Sequence, residues 1–290
     1  MKKTFYFLFL FFFISCNTNK EPILNSKSGS ISFVGSNEEL VVSDISKQIG
    51  NLHNASIEAF IEYVYLNKID VYKLNESQID SVIIEFTNEY LIDNLLSNEE
   101  IVLLFENEET QTDSILLREI QFLIFEIIDS EQEYKVINSK IDSTFNNRLS
   151  TNVNIQTKII NNSIKQISLS TNTLWSNEWD YSYHPFLPEE YRYIKEENGN
   201  TETENDKEKK KKDQDALIKA DIEGAVEGAI EGAIWGGRIE IVEGPLGGVL
   251  GGAWGALIGA SGGAVVGSIK EYISQEISKT QELYHSLNPE

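Results

Sequence analysis

The chain has 290 residues, 46 of them acidic and 24 basic, for a formal net charge of -22, and it contains one cysteine. That charge argues against a nucleic-acid partner, because phosphate binding needs the opposite sign. A single thiol excludes an internal disulfide and a multi-cysteine zinc site.

The chain opens with Met1-Lys2-Lys3 and an apolar run from Phe5 to Ile14, interrupted only by the hydroxyl of Tyr6, that ends at Ser15-Cys16. A basic start, an apolar stretch and a small residue predict a secretory signal over 1–15. Phe13-Ile14-Ser15-Cys16 resembles the lipobox of bacterial lipoproteins, departing from its commonest form at Phe13 and Ser15. The resemblance implies that Cys16 carries the lipid, that membrane lipid is a partner, and that the protein sits in the bacterial cell envelope. Asn17, where an Asp would retain a lipoprotein at the inner membrane, leans this expectation towards the outer membrane. Residues 16–35, rich in Asn, Ser, Lys and Gly, read as a solvated tether.

From Ser36 the pattern is helical. Ser36-Asn37-Glu38-Glu39 has capping-box spacing, and Leu40, Val41, Ile45, Ile49 and Leu52 follow at intervals of three or four. Further starts fall at Asn75 to Ser77, Ser97 to Glu100, Thr112-Asp113 and Ser130 to Glu133, each ahead of a periodic apolar run. Asn152 to Leu174, with Ile155, Ile159, Ile160, Ile164 and Ile167, adds another helix. The expectation is an all-α bundle of five or six helices over 36–194.

Within it, Gly50-Asn51-Leu52-His53-Asn54 is similar to a Gly-x-x-His-Asn pattern of exported bacterial lipoproteins with glycine-rich tails, a resemblance that brings no activity. His53 reads as a structural histidine, with Glu58 and Glu62 as helical neighbours, and His184 and His285 carry no recognisable chemistry. Trp175, Trp179, Tyr181, Tyr183, Phe186, Tyr191 and Tyr193 crowd into a stretch broken by Pro185 and Pro188, expected to lie over the bundle and close its core. Residues 195–215, with Lys207 and Lys209 to Lys212 among acids, read as a charged linker.

The most informative stretch is 216–269. Gly224, Gly228, Gly232 and Gly236 return every fourth residue, then Gly247, Gly251, Gly255, Gly259, Gly263 and Gly267. At 3.6 residues per turn such positions share one slowly winding helix face, a groove without side chains. Each glycine costs an isolated helix about 1 kcal/mol relative to Ala, so close helix-to-helix contact must compensate. The first run is a tetrad repeat, Ile222-Glu223-Gly224-Ala225 and its successors, flanking the glycines with alanines and with Glu223, Glu227 and Glu231. The second, Leu246 to Ile269, has 24 residues without charge, and at about 1.5 Å per residue it is long enough for an apolar layer of about 30 Å. Gly244-Pro245 separates the two. These residues resemble the glycine zippers of bacterial membrane and envelope proteins and, more loosely, the GxxxG helices of two-peptide bacteriocins. The resemblance implies a C-terminal zipper hairpin, with a transmembrane helix or a homo-oligomer as its uses. Residues 270–290 read as a polar tail that continues the second helix.

No GxSxG elbow, HExxH, Walker A loop or GxGxxG after a strand is present. No catalytic residue, metal ligand or cofactor is predicted. The sequence points to a non-enzymatic, lipid-anchored envelope protein whose hairpin packs in or at a membrane. The alternatives are a lipid-tethered soluble binding protein whose zipper serves self-association, and a pore-forming or bacteriocin-like protein.

Overall fold

The structure, a computed structural model, describes residues 36–96, 104, 113–130, 133–149, 152–176, 204–243 and 252–287. Among these, helix accounts for 93% and no strand is present, so the fold is all-α. The helices are α1 Ser36–Leu66, α2 Glu76–Phe86, α3 Ser114–Ser130, α4 Tyr134–Arg148, α5 Ile155–Ser176, α6 Glu204–Glu243 and α7 Gly252–Leu287. α2 passes through a π-helical stretch, Thr87–Ile92, into a last turn, Asp93–Leu96. The chain clusters into two compact units, Met1–Leu40 and Val41–Glu290. Of the first, only Ser36–Leu40 are described, as the opening of α1; the second holds the rest of α1 and the helices α2 to α7. The signal, Cys16, the tether, the helix start at Ser97 to Glu100 and the aromatic segment beyond Ser176 lie outside the described residues.

Local chemistry sets the helix starts. The Asn75 side chain accepts from Gln78 N at 3.0 Å while the Gln78 side chain accepts from Asn75 N at 3.0 Å, a complete capping box for α2. Asp113 Oδ1 caps α3 through Leu116 N at 2.9 Å, and Asn154 Oδ1 caps α5 through Thr157 N at 2.8 Å. Each cap satisfies an amide that the first turn leaves without a helical partner. The apolar positions predicted from periodicity supply the core: Ile45, Ile49, Ile83, Ile120, Ile124, Ile137, Ile141, Phe145, Ile159, Ile160, Ile164 and Ile167 are buried. α1 meets α2 through Phe60 and Phe86, whose rings stand edge to face with centroids 5.3 Å apart.

The glycine runs form an antiparallel seam. A Cβ on Gly228 would lie 2.0 Å from Gly259 O, and one on Gly259 would lie 2.0 Å from Gly228 O. Gly224 faces Gly263 O at 2.1 Å, Gly232 faces Gly255 O at 2.0 Å, and Gly267 faces Ala220 O at 2.5 Å. The place of each missing side chain is taken by a carbonyl of the other helix, a backbone approach that only glycine permits. The tetrads extend one unit further towards the N-terminus than the glycines show, because Ile218-Lys219-Ala220-Asp221 repeats the same four faces with Ala220 on the seam. On α7, the residues after each stripe glycine, Ala256, Ala260, Ala264 and Ser268, are buried, as are Leu257, Ser261, Val265 and Ile269. From Gly255 to Ile269 α7 is therefore largely interior.

The structure bears on three of these expectations. The hairpin is not a body apart from the bundle: α6 packs on α5 and α3, and α7 packs on α5 and α2, within one compact unit. Part of the expected linker is helix, since α6 begins at Glu204. Its charges are spaced to support a helix, with Lys212 on Glu208 at 2.8 Å and Lys211 on Asp215 at 2.7 Å, both four residues apart. Finally, among the described residues no helix is long and apolar enough to cross a membrane. Glycine adds length without apolarity, and α7 acquires Lys270, Glu271 and Glu276 soon after the uncharged run ends.

Candidate functional site

Gly50 decides how α1 meets α5. A Cβ there would lie 2.8 Å from Ser170 Oγ and 3.0 Å from Gln166 O, so a larger residue would push the helices apart. The two run side by side in the same direction, Ser46 Oγ donating to Ile159 O at 3.4 Å and, two turns on, Asn54 Nδ2 donating to Ser170 O at 3.2 Å. With its amide nitrogen engaged there, Asn54 turns Oδ1 towards the neighbouring ring, 3.0 Å from His53 Nδ1. An oxygen can only accept, so Nδ1 carries a hydrogen and donates.

His53 is thereby aimed inward, fully buried, with Nε2 3.6 Å from Asp221 Oδ2. Asp221 is fully buried as well. In the tetrad register it stands where Ala225 and Ala229 come next, one acid at the head of an alanine stripe. Its Oδ2 accepts a short hydrogen bond from Thr171 Oγ1 and another from Trp175 Nε1 at 3.1 Å. Trp175 stacks on Tyr272 of α7, centroids 5.7 Å apart at 29°. One carboxylate thus gathers α1, α5 and α6 and reaches α7 through a ring. A buried charge in a low-dielectric interior is costly unless donors surround it, and these residues are its donors.

A second polar set adjoins the first along α5. Asn172 Nδ2 donates to Tyr134 O at 2.9 Å and to Asn138 Oδ1 at 2.7 Å, and Tyr134 Oη donates to Gln214 Oε1 at 2.7 Å. Outside it lies an open groove of about 510 Å³, lined by Asn51, Asn54, Asn138, Asp142, Ser170 and Thr173 among others. Its fixed amides face inward: Asn54 is held by His53 and Ser170, and Asn138 by Asn172.

The glutamate stripe of α6 turns towards α3. Arg118 donates from Nε to Glu227 Oε1 at 2.9 Å and from Nη2 to Glu227 Oε2 at 2.7 Å. Glu231, partly desolvated and beside Glu227, has its pKa raised above the ordinary carboxyl value, a rise that Arg118 moderates. Glu223 is exposed. At the other end of α6, burial raises Asp215, against the lowering pull of Lys211 and Lys219.

Of the residues singled out from sequence, Gly224, Gly228, Gly232, Gly255, Gly259, Gly263 and Gly267 lie at the seam. Gly236 lies in α6 but its surroundings, like Gly247, Gly251, Cys16 and His184, fall outside the described residues. Glu58 and Glu62 point to solvent and away from His53. Among the described residues no group of three or more His, Cys, Asp or Glu is placed to hold a metal ion. Sequence reasoning reached His53 but missed Thr171 and Asp221. The available signal was the acid on an otherwise alanine stripe.

The chain matches no family model, no curated protein and no solved structure.

Proposed function

We propose that this is a lipid-tethered, non-enzymatic helical protein of the bacterial envelope, in which the zipper hairpin is the internal spine of a binding domain and not a membrane element. The observation that carries this reading is where the hairpin's faces go. Its glycines close on one another from Gly224–Gly263 to Gly232–Gly255, its aliphatic and alanine faces on α6 are buried from Ile222 to Ile230, and its buried acid is held by α1 and α5. A seam already filled by the chain's own second helix is not open to another copy. Homo-oligomers through it would form by exchanging α7 between chains. The polar cluster supports a structural role, because His53 and Asp221 are out of reach of any substrate. The single cysteine after an apolar run supports the tether, and multiple acyl chains give stable attachment at about 0.8 kcal/mol per buried methylene.

A second reading, a hairpin that embeds in the bilayer, is favoured by the uncharged stretch from Leu246 to Ile269. Carbonate extraction of bacterial membranes separates the two. The wild type should stay with the membrane and Cys16→Ala should be released. A Cys16→Ala protein that resists extraction would overturn the tether reading in favour of the embedded hairpin.

A further inference from the structure

The buried pair of His53 and Asp221 sits at the junction of bundle and hairpin and has a proton to account for. His53 Nδ1 is committed as a donor to Asn54 Oδ1, whose orientation is fixed by Asn54 Nδ2 on Ser170 O. In a neutral ring that leaves Nε2 as a bare lone pair, 3.6 Å from a carboxylate oxygen. Two acceptors facing each other in a fully buried site repel, and the low dielectric strengthens the repulsion. Among the described residues neither His53 Nε2 nor Asp221 Oδ1 has a hydrogen-bond partner, so nothing else offsets it. The other side chains at the pair are neutral: Asn54 from α1, Thr171 and Trp175 from α5, with Tyr272 of α7 behind the Trp175 ring. Asp221 is the charged group that faces His53.

We propose that His53 is held as an imidazolium paired with Asp221, so that the join between the bundle and the zipper hairpin is a latch that needs a proton. A hydrogen on Nε2 turns the repulsive contact into an ion pair at Oδ2, the oxygen that Thr171 and Trp175 also face. The pH dependence then has a definite sign. With a hydrogen on Nε2 the contact with Asp221 is an ion pair and without it two acceptors face each other, so on this proposal the junction holds at lower pH and loosens where that hydrogen is gone. What loosens is the junction of α1, α5 and α6, while the glycine seam between α6 and α7 has no titratable group in it and stays closed.

Nitrogen NMR of the full chain, labelled on histidine and carrying Cys16→Ala to keep it free of lipid, reads the proton directly. The chain has three histidines, and His53→Gln assigns the resonance. At neutral pH both ring nitrogens of His53 should be protonated, with loss of the signal of an unprotonated nitrogen. An unprotonated nitrogen at neutral pH overturns the proposal. In Asp221→Asn the ring should revert to one protonated and one bare nitrogen, and an imidazolium that persists there would overturn the pairing. Should that variant fail to fold, the wild-type spectrum decides alone. Urea unfolding over a rising pH series supplies the second readout: the wild type should lose midpoint relative to His53→Gln, and parallel profiles would overturn the latch.

Discussion

The two halves of α6 are held in place by opposite means. From Gly224 to Gly232 the helix touches α7 backbone to backbone, with no side chain between. From Lys211 to Asp221 side chains do the holding: Gln214 accepts from Tyr134, Lys279 pairs with Asp213 at 3.3 Å, Lys219 pairs with Asp129, and Asp221 takes Thr171 and Trp175. A backbone seam has no tolerance, because the clashing atoms are carbonyls that cannot rotate away. A side-chain interface is forgiving, since each long partner can move or be replaced by water. One helix therefore contains a stretch where any added atom is ruinous and a stretch where, at its part-exposed pairs such as Lys279 with Asp213, single losses are modest.

The largest test breaks the seam. Gly228→Leu sets a side chain where Gly259 O lies 2.0 Å from the Cβ position, and the loss should exceed about 5 kcal/mol. That is comparable with the whole stability of an ordinary domain, about 5–15 kcal/mol, so circular dichroism on heating should show no cooperative transition. Gly262→Ala is the matched control. Its Cβ would meet Thr87 Cγ2 at 3.7 Å and Leu91 Cδ2 at 3.8 Å, ordinary contact, and the change should raise the melting point through up to about 1 kcal/mol of helix propensity. If the two variants melt alike, the seam is not what fixes the hairpin.

Gly50→Ala probes a helix crossing of intermediate strictness. Its nearest obstacles are Ser170 Oγ, which can swing aside, and Gln166 O, which cannot. Overpacking of this kind costs about 1–3 kcal/mol, and a urea midpoint unchanged from wild type would mean that Gly50 does not govern how α1 docks.

The same contrast explains what could be read from the chain alone. The glycine period is local, so the seam positions on α6 and α7 were visible as spacing, as were caps such as Asn75 with Gln78 and Asp113 three residues before Leu116. The polar cluster joins His53, Thr171 and Asp221, residues far apart in sequence, and no local pattern pairs them. The Gly50, His53, Asn54 motif could be noticed but not interpreted, because its partners Gln166, Ser170 and Asp221 belong to α5 and α6. The charged run at 204–215 read as a linker because its tertiary partners, Tyr134 and Lys279, are equally distant. The apolar run from Leu246 to Ile269 reads as long enough to span a membrane, and no local pattern in it shows that its described part, from Gly252, packs on α5 and α2.

A smaller effect belongs to Arg118→Ala. The bidentate pair with Glu227 is half exposed, 51% for the arginine side chain and 36% for the glutamate, and exposed pairs contribute about 0.2–1 kcal/mol. The loss should shrink as salt is added. A deficit that persists at high salt would mean that Arg118 holds α3 on α6 by packing rather than by charge.

The smallest effect has the opposite sign. Glu231 is raised above the ordinary 4.5, first by desolvation, then by repulsion from Glu227, with Arg118 pulling the other way. A carboxyl raised on folding is less willing to ionise in the native state than in the unfolded chain. Relative to its ionised state, its contribution is favourable below about 4.5, the unfolded value, is lost as the pH climbs through the raised native value, and at neutral pH is a liability. Glu231→Gln removes the charge while keeping the shape, so the variant should unfold at higher urea than the wild type at neutral pH, and the two should converge in acid. Arg118→Ala in the same background should widen the gap, because it removes the one cation that moderates Glu231. If Glu231→Gln is instead less stable at neutral pH, the ionised carboxylate is being held by Arg118 alongside Glu227, and the stripe on this half of α6 is fastened to α3 by charge much as the other half is fastened by Asp221.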